Sequence, residues 1–529
     1  MASNIVKLFF SLSLFFSVFS LSSSLSSSIE YWCNQTPHPE QCKYHMSHDH
    51  HRFRPNHASE FNKMLVQIAL DQAQAMRNKA QEYGPKCVTN MQKCVFSDCL
   101  KLYDNTIFHL NQTLHGLHIS SCSLSDAQTW LSTSLTNIET CRSVALQLGV
   151  GEFTTQHNVS DNVRKMISNV LAVNGKLLKQ ENYTEEKIKA HGFPSWFSRH
   201  DRRLLSLKPS SVKANLVVAQ DGTGHFKTVQ AAIDAASRRK LKTRFVIRVK
   251  KGIYEENIEV DTDNENLMII GDGMRLTIIT GSKSVKDGIT PSMSATAGVD
   301  GAHFIARDIT FRNTAGPEKG QAVTLRAASD LSVFYRCSIE GYQDTLRADS
   351  QRQFYRDCRI FGTVDFIWGN AAVVLQNCTI LVRKPLQGQP NMITAQGRDD
   401  PFQNTGIAII SCQIRAAPEF RSVYHSFETY LGRPWHQYAR VVVMKTYIEG
   451  LVNPLGWSRW DNSSVGEDTC YFGEYMNYGA GSSTKSRVQW PAFHVITNPN
   501  EANQFSVGSF LAGGTWLPRT GVPFNIGVN

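Results

Sequence analysis

Two carboxylates make the first chemical suggestion in this chain. Asp344 and Asp365 lie in the run CSIEGYQDTLRADSQRQFYRDCRIFGTVDFIWGN, residues 337–370, each where a short β-type segment turns into a loop. Gln343 precedes the first, and Phe366-Ile367-Trp368 follows the second. Two acids held side by side resist double ionisation, so one can stay protonated for acid–base work while the other is charged for attack. Their separation in sequence does not bring them together, so the surrounding elements must.

Those elements repeat. Phe334-Tyr335-Arg336-Cys337-Ser338-Ile339 returns as Tyr355-Arg356-Asp357-Cys358-Arg359-Ile360, then as Leu375-Gln376-Asn377-Cys378-Thr379-Ile380 and Ile410-Ser411-Cys412-Gln413-Ile414. Looser copies are Arg307-Asp308-Ile309-Thr310-Phe311 and Met444-Lys445-Thr446-Tyr447-Ile448. A β-rich unit with such a period is the signature of a solenoid, whose coils stack with equivalent positions about 4.8 Å apart. If Cys337 stacks on Cys358, then Asp344 and Asp365, each seven residues after its cysteine, become neighbours on adjacent coils.

With 529 residues the chain holds more than one domain. Its 41% hydrophobic and 19% charged residues describe a soluble globular protein, not a disordered one. The formal charge of +10, spread over both halves, suits an anionic partner: nucleic acid, acidic membrane or acidic polysaccharide. No Lys/Arg cluster is interleaved with aromatics, so nucleic acid is the weakest of the three. Residues 1–28 read as a signal peptide: Lys7, an apolar run from Leu8 to Leu21 too short to span a bilayer, then a Ser-rich stretch to Ser28. A membrane anchor is the other reading. No later apolar run is long enough to span a bilayer, so the expectation is a secreted, extracellular protein with no membrane contact after signal cleavage. Sequons at Asn34, Asn111, Asn158, Asn182, Asn377 and Asn462 are compatible with that route.

Residues 29–178 have helical character. Leu65, Ala69, Ala73 and Met76 fall at helical spacing, as do Ala127, Leu131, Leu135, Ile138 and Cys141. Ser125 and Asp126 are placed to cap the second series, and Val163 to Leu177 is a further amphipathic segment. The pattern predicts four antiparallel helices with a short N-terminal hairpin. Cysteines 33, 42, 87, 94, 99, 122 and 141 lie here, and in an oxidising compartment most should pair, with a connectivity that spacing leaves open. His45, His48, His50 and His51 read as a solvated loop rather than a metal site, since no second cluster completes one. Residues 179–214 are a polar linker carrying Pro194, Pro209 and Arg202-Arg203-Leu204-Leu205, a dibasic stretch that suits proteolytic processing or is ordinary surface charge.

Residues 215–529 are β-rich. Thr228 to Ala236 reads as a helix capping the open end of the solenoid, and strands follow at Arg244–Val249, Leu267–Ile270, Thr277–Thr280 and Phe304–Phe311. Gly271-Asp272-Gly273 lacks the spacing of a phosphate loop and reads as a turn.

This β-rich region resembles the plant pectin methylesterases, right-handed parallel β-helix enzymes. The resemblance is carried by Gly341-Tyr342-Gln343-Asp344-Thr345-Leu346, Asp365-Phe366-Ile367-Trp368-Gly369-Asn370 and Leu431-Gly432-Arg433-Pro434-Trp435. Phe304 to Phe311, Asn313-Thr314-Ala315-Gly316-Pro317 and Gln321-Ala322-Val323 agree as well. The N-terminal half resembles the pectin methylesterase inhibitor domain, a four-helix bundle, which implies bridges Cys33–Cys42 and Cys99–Cys141. Arg202-Arg203-Leu204-Leu205 is then similar to the family's processing motif, with a protease as partner. An inhibitor-domain contact, within or between chains, is also implied.

The implied substrate is methyl-esterified homogalacturonan, the pectin of the cell wall, and no cofactor or metal is implied. Asp365 is by resemblance the nucleophile, ionised and aimed by Arg433. Asp344 is the acid for methanol and then the base for water, with one carboxyl pKa raised and the other lowered. Gln343 and Gln321 are placed to donate to the oxyanion, and Trp435 and Trp368 offer apolar surface to a sugar ring. The positive net charge implies retention on the acidic product, weakened by salt. Trp368 stands where the family usually has Phe, Arg347 where it has Tyr, Pro291 (beside Thr290) where it has Thr, and Gly320 where it has His. Cys337–Cys358 fits as a bridge, and a ladder of free thiols fits too. Two other classes share these features: a glycosidase or lyase on a β-helix, which would shorten the polymer, and a secreted pectin-binding or inhibitor protein with an idle C-terminal half.

Overall fold

The repeated cysteine motif is built around a corner. In Asp308, Arg336, Asp357, Asn377, Ser411, Lys445 and Met476 φ lies between 47° and 56°, the left-handed region. One such residue between two extended segments turns the chain sharply. The segment Phe304–Phe311, expected as one strand, is therefore two, Ile305–Arg307 and Thr310–Asn313, with Asp308 at the bend. A computed structural model describes residues 29–48, 55–150, 157–185, 212–239, 243–461 and 463–528. The chain divides into a helical and a β unit.

Among the described residues the β unit holds three sheets, of eleven, eight and seven strands, wound as a parallel β-helix. Every coil adds its strands next to those of the coil before. Ser338 pairs with Arg359, Arg359 with Thr379, Thr379 with Gln413 and Gln413 with Tyr447. Right-handed crossovers are the rule for such parallel connections. Inside, Ile339, Ile360, Ile380, Ile414 and Ile448 form a fully buried ladder, each contributing about 1.5–3 kcal/mol of apolar burial. Phe334 stacks on Tyr355 with centroids 4.7 Å apart and planes 7° from parallel.

Cys337, Cys358, Cys378 and Cys412 make a second ladder, of free buried thiols rather than bridges. Cys358 Sγ donates to Phe334 O at 3.2 Å, Cys412 Sγ donates to Ile410 O at 3.3 Å, and Cys378 N–H donates to Cys412 Sγ at 3.3 Å. Thr446 takes the next rung, its Oγ1 accepting from Cys412 N at 3.1 Å.

The helices are α1 (Pro39–His48), α2 (Ala58–Gln81), α3 (Asn90–His118), α4 (Leu124–Gln147), α5 (His157–Glu185) and α6 (Val229–Ser237). α6 closes the first coil with Val229, Ala232, Ile233 and Ala236 buried. Its free N–H groups are satisfied by the Glu256 carboxylate, which accepts from Val229 N at 2.9 Å and Gln230 N at 3.0 Å. Val507, Leu511, Trp516 and Leu517, from short C-terminal helices, cover the outer face of the eleven-stranded sheet.

In the helical unit, α2 to α5 form the four-helix bundle, and the apolar residues of both expected series are buried. Asn174 ties three helices: its Nδ2 donates to Gln128 Oε1 at 2.7 Å, and its Oδ1 accepts from Asn62 Nδ2 at 3.1 Å. The cap of α4 is Ser123, not Ser125. Asp126 N–H donates to Ser123 Oγ at 3.0 Å, and the Asp126 carboxylate accepts from Ser123 N at 3.0 Å.

Cys33–Cys42 and Cys99–Cys141 are the disulfides among the described residues, so fewer of the seven cysteines are bridged than expected. His45 and His48 lie on α1 instead of a loop, and α5 runs on to Glu185, past residue 178. Residues 1–28, His50, His51 and Arg202-Arg203-Leu204-Leu205 lie outside the described residues. No described helix is long and apolar enough to cross a membrane.

Candidate active site

Asp344 and Asp365 occupy the corner between the eight- and seven-stranded sheets, and both are left-handed, with φ of 64° and 49°. Two residues after each, Leu346 pairs with Ile367 in the seven-stranded sheet. The carboxylates are thus register neighbours, and Asp344 N–H donates to Val364 O at 3.0 Å. Leu346 and Ile367 point into the core. The alternate residues Arg326, Arg347, Trp368, Ala395 and Arg433 succeed one another across the same sheet. Trp368 and Ala395 pack on this outer side with Val323 and Ala295, apart from the interior cluster. Close stacking behind Trp368 depends on Gly369, whose φ is 116° and whose Cβ, if present, would overlap the Ala348 carbonyl oxygen.

Arg433 reaches along this face to Asp365. Its Nε donates to Oδ1 at 2.9 Å and its Nη2 to Oδ2 at 2.6 Å, a bidentate clamp that leaves a lone pair on each oxygen. Gln321 Nε2 donates to Asp344 Oδ2 at 3.0 Å, which leaves Asp344 Oδ1 as the seat for a proton. Both carboxyls are buried, 3% and 6% exposed. Burial and the charge of Asp365 push Asp344 well above the ordinary carboxylate range. Burial raises Asp365 as well, opposed by the Arg433 guanidinium. The expectation that one pKa rises and the other falls is therefore corrected: both rise, Asp344 further, because desolvation acts on both and only Asp365 has a bidentate cation. A protonated acid beside a clamped carboxylate can attack an acyl carbon and protonate its leaving group.

The family profile described as "Pectinesterase" matches residues 215–514. The chain belongs to the pectinesterase family. As such it is a carboxylic ester hydrolase. The profile "Plant invertase/pectin methylesterase inhibitor" matches residues 27–173, the bundle. "Probable pectinesterase/pectinesterase inhibitor 59" of Arabidopsis thaliana is 54% identical, over 94% of this chain and 93% of its own length. "Pectinesterase 2" of Citrus sinensis is 49% identical over 94% and 95%. Among solved structures, the pectin methylesterase from carrot is 55% identical with a TM-score of 0.59, covering 60% of this chain and 99% of its own.

The other expected residues of this pectinesterase fall around the pair. Gln343 is half-buried, and its side chain makes no hydrogen bond to a described residue. Trp435 is half-buried, its ring edge-on to Trp368 at 5.3 Å. The Trp368 indole N–H donates to Asp344 O at 3.2 Å, which pins the corner that carries the acid. Arg347, Trp368 and the turn at Pro291 meet in space. Arg347 lies over Trp368, donates to Asp349 Oδ1 at 3.0 and 2.9 Å, and donates to Ser292 Oγ at 2.9 Å. Ser292 opens the short turn that Pro291 caps, and in that turn Thr290 Oγ1 accepts from Met293 N at 3.3 Å. Trp460 and Asp461 were not foreseen: Arg433 stacks on the Trp460 ring at 4.1 Å and donates to Asp461 Oδ1 at 3.4 Å. They sit outside the repeat, so no periodicity marks them.

Proposed function

We propose that this pectinesterase hydrolyses methyl esters of galacturonosyl residues in cell-wall pectin, releasing methanol and leaving free carboxylates. The reading is carried by one observation, the clamped Asp365 lying in register beside the more strongly raised Asp344. Asp365 attacks the ester carbonyl, and the carbonyl π electrons move onto oxygen. The half-buried amide of Gln343 and the second N–H of Gln321 are the donors at hand for that oxyanion. Collapse breaks the bond to methoxide, which takes the Asp344 proton and leaves as methanol, giving an anhydride on Asp365. Asp344, now a carboxylate, removes a proton from water. The hydroxide attacks the anhydride, Asp365 departs as a carboxylate again, and the free acid of the product loses its proton to solvent. Trp435 supports a sugar ring. The relatives' names, the leader at 1–28 and the dibasic stretch support a secreted wall enzyme whose bundle is removed by a protease after Leu205. The name of the bundle's family supports an inhibitory role for it until then.

The test is methanol release from highly methylated pectin by the full chain and by Ser206–Asn529, each beside Asp365→Asn. Release abolished by Asp365→Asn supports the assignment. Folded protein that releases none would favour a pectin-binding role, and a shortened polymer would favour a glycosidase or lyase.

A further inference from the structure

At the corner where the seven-stranded sheet leads into the eleven-stranded sheet, a cavity of about 500 Å³ is lined by Arg398, Arg440, Tyr471, Glu501, Gln504 and Phe505. It is a built site. The Gln396 carboxamide oxygen accepts from Arg398 N at 3.0 Å and from Arg440 N at 2.7 Å, fixing both backbones to one atom. Arg398 donates from Nε to Gln403 O at 2.9 Å and from Nη2 to Pro401 O, and Arg440 Nε donates to Thr405 O at 2.8 Å. Neither forms an ion pair with a described carboxylate, and the two terminal amino groups of Arg440 have no acceptor among the described residues. The Arg440 guanidinium instead lies 5.3 Å from the Phe510 centroid.

Arg398 and Arg440 are half-buried side by side, and the Asp400 charge favours only Arg398, so the crowding of two like charges is costly. Burial lowers Arg398 to about 10, and burial with the neighbouring Arg398 charge holds Arg440 well below its ordinary value. An anion between them would offset both effects. The opposite wall narrows the choice. Tyr471, register partner of Arg440, donates its O–H to Glu501 Oε1 at 2.5 Å, and Gln504 and Phe505 stand beside it. A carboxylate in the wall disfavours a doubly charged phosphate and accepts hydroxyl groups, while Phe505 offers an apolar surface. That combination suits a singly charged, hydroxylated ring.

We propose that this cavity binds the free carboxylate of a uronate residue, at a subsite separate from Asp344 and Asp365. The source of the uronate rests on the esterase reading, whose product carries that group. The spacing agrees with one polymer touching both sites: Met392, in register with Asp365, is six residues before Arg398, about 20 Å of extended chain. Trp435 lies between, its backbone N–H donating to Gln396 O at 3.2 Å.

The test uses the full chain, de-esterified oligogalacturonate and inorganic phosphate, with calorimetry and phenylglyoxal footprinting of arginines by mass spectrometry. The oligomer is expected to protect Arg398 and Arg440, and phosphate is not. Arg398→Gln should weaken oligomer binding about tenfold or more while methanol release from a short, fully methylated oligomer stays at the wild-type rate. Protection absent, or equal with phosphate, overturns the proposal. So does unchanged binding in a folded Arg398→Gln. The footprint needs no variant, and failure of wild-type methanol release would strike the esterase reading while leaving the binding result to be read by itself.

Discussion

The Arg347 guanidinium lies 4.8 Å from the ring centroid of Trp368, and the two residues are register partners on adjacent strands. A cation and a large aromatic ring are here in contact. The stack holds a fixed positive charge near Asp344, whose carboxyl it pulls down against burial. Arg347→Gln removes that charge, so the Asp344 pKa rises further. In the proposed mechanism Asp344 acts first as an acid, so activity should fall as pH rises through its pKa. The alkaline limb of methanol release should therefore move to higher pH. A limb that stays put, or moves down, would show that Arg347 does not reach the acid.

Arg433 is expected to matter twice. Its two donors keep buried Asp365 ionised, and they aim it. In Arg433→Leu burial acts unopposed, the Asp365 pKa climbs further, and less of the proposed nucleophile is ionised. Methanol release should fall by about 10²–10³, and Arg433→Lys should not restore it, because an ammonium cannot make the paired contact. Stability follows the same sign. With its folded pKa raised above the unfolded one, Asp365 disfavours the fold increasingly as pH rises from the unfolded value, and fully above the raised one. The deficit against wild type should be about 3 kcal/mol at neutral pH and should shrink as pH falls. Denaturant melts at several pH values would read this, and a deficit independent of pH would refute it.

What was legible in the sequence was what repeats. The cysteine motif gave the coil register, and through it the neighbourhood of Asp344 and Asp365, because a solenoid turns period into position. The corner at Asp308 was not legible. A left-handed Asp carries no marker of the kind glycine gives, and the strand pattern reads straight through it. Ser123 was passed over for Ser125 because the box is recognised only when the reach of Asp126 is seen. Trp460 and Asp461 escaped because they lie in irregular chain, and the upward shift of Asp365 because depth of burial is a tertiary property.

The thiols give a prediction of contrast. The bridges Cys33–Cys42 and Cys99–Cys141 are confined to the helical unit, whereas Cys337, Cys358, Cys378 and Cys412 are unbridged and buried. Reduction should lower the unfolding temperature of the bundle, with a loss of about 2–5 kcal/mol per bridge, and leave the β-helix transition unmoved. The four ladder thiols should resist a thiol reagent in the native chain and react on unfolding. Calorimetry with and without reductant separates the two transitions, and a shift in the β-helix transition would mean that a bridge exists in the ladder.

Gly369 tests whether the site depends on coil stacking as closely as the geometry indicates. It follows Trp368 at φ 116°, where an L side chain is strained, and its missing Cβ is what lets the coil approach the Ala348 carbonyl. Gly369→Ala must push the coils apart there or bend the strand that ends at Gly369. Either response displaces Trp368, and with it the indole N–H that holds the Asp344 carbonyl. The variant should lose more than about 2 kcal/mol of stability, and its kcat should drop although no group that touches the ester has changed. A stable Gly369→Ala with wild-type kcat would show that the corner carrying Asp344 is held independently of the Trp368 strand.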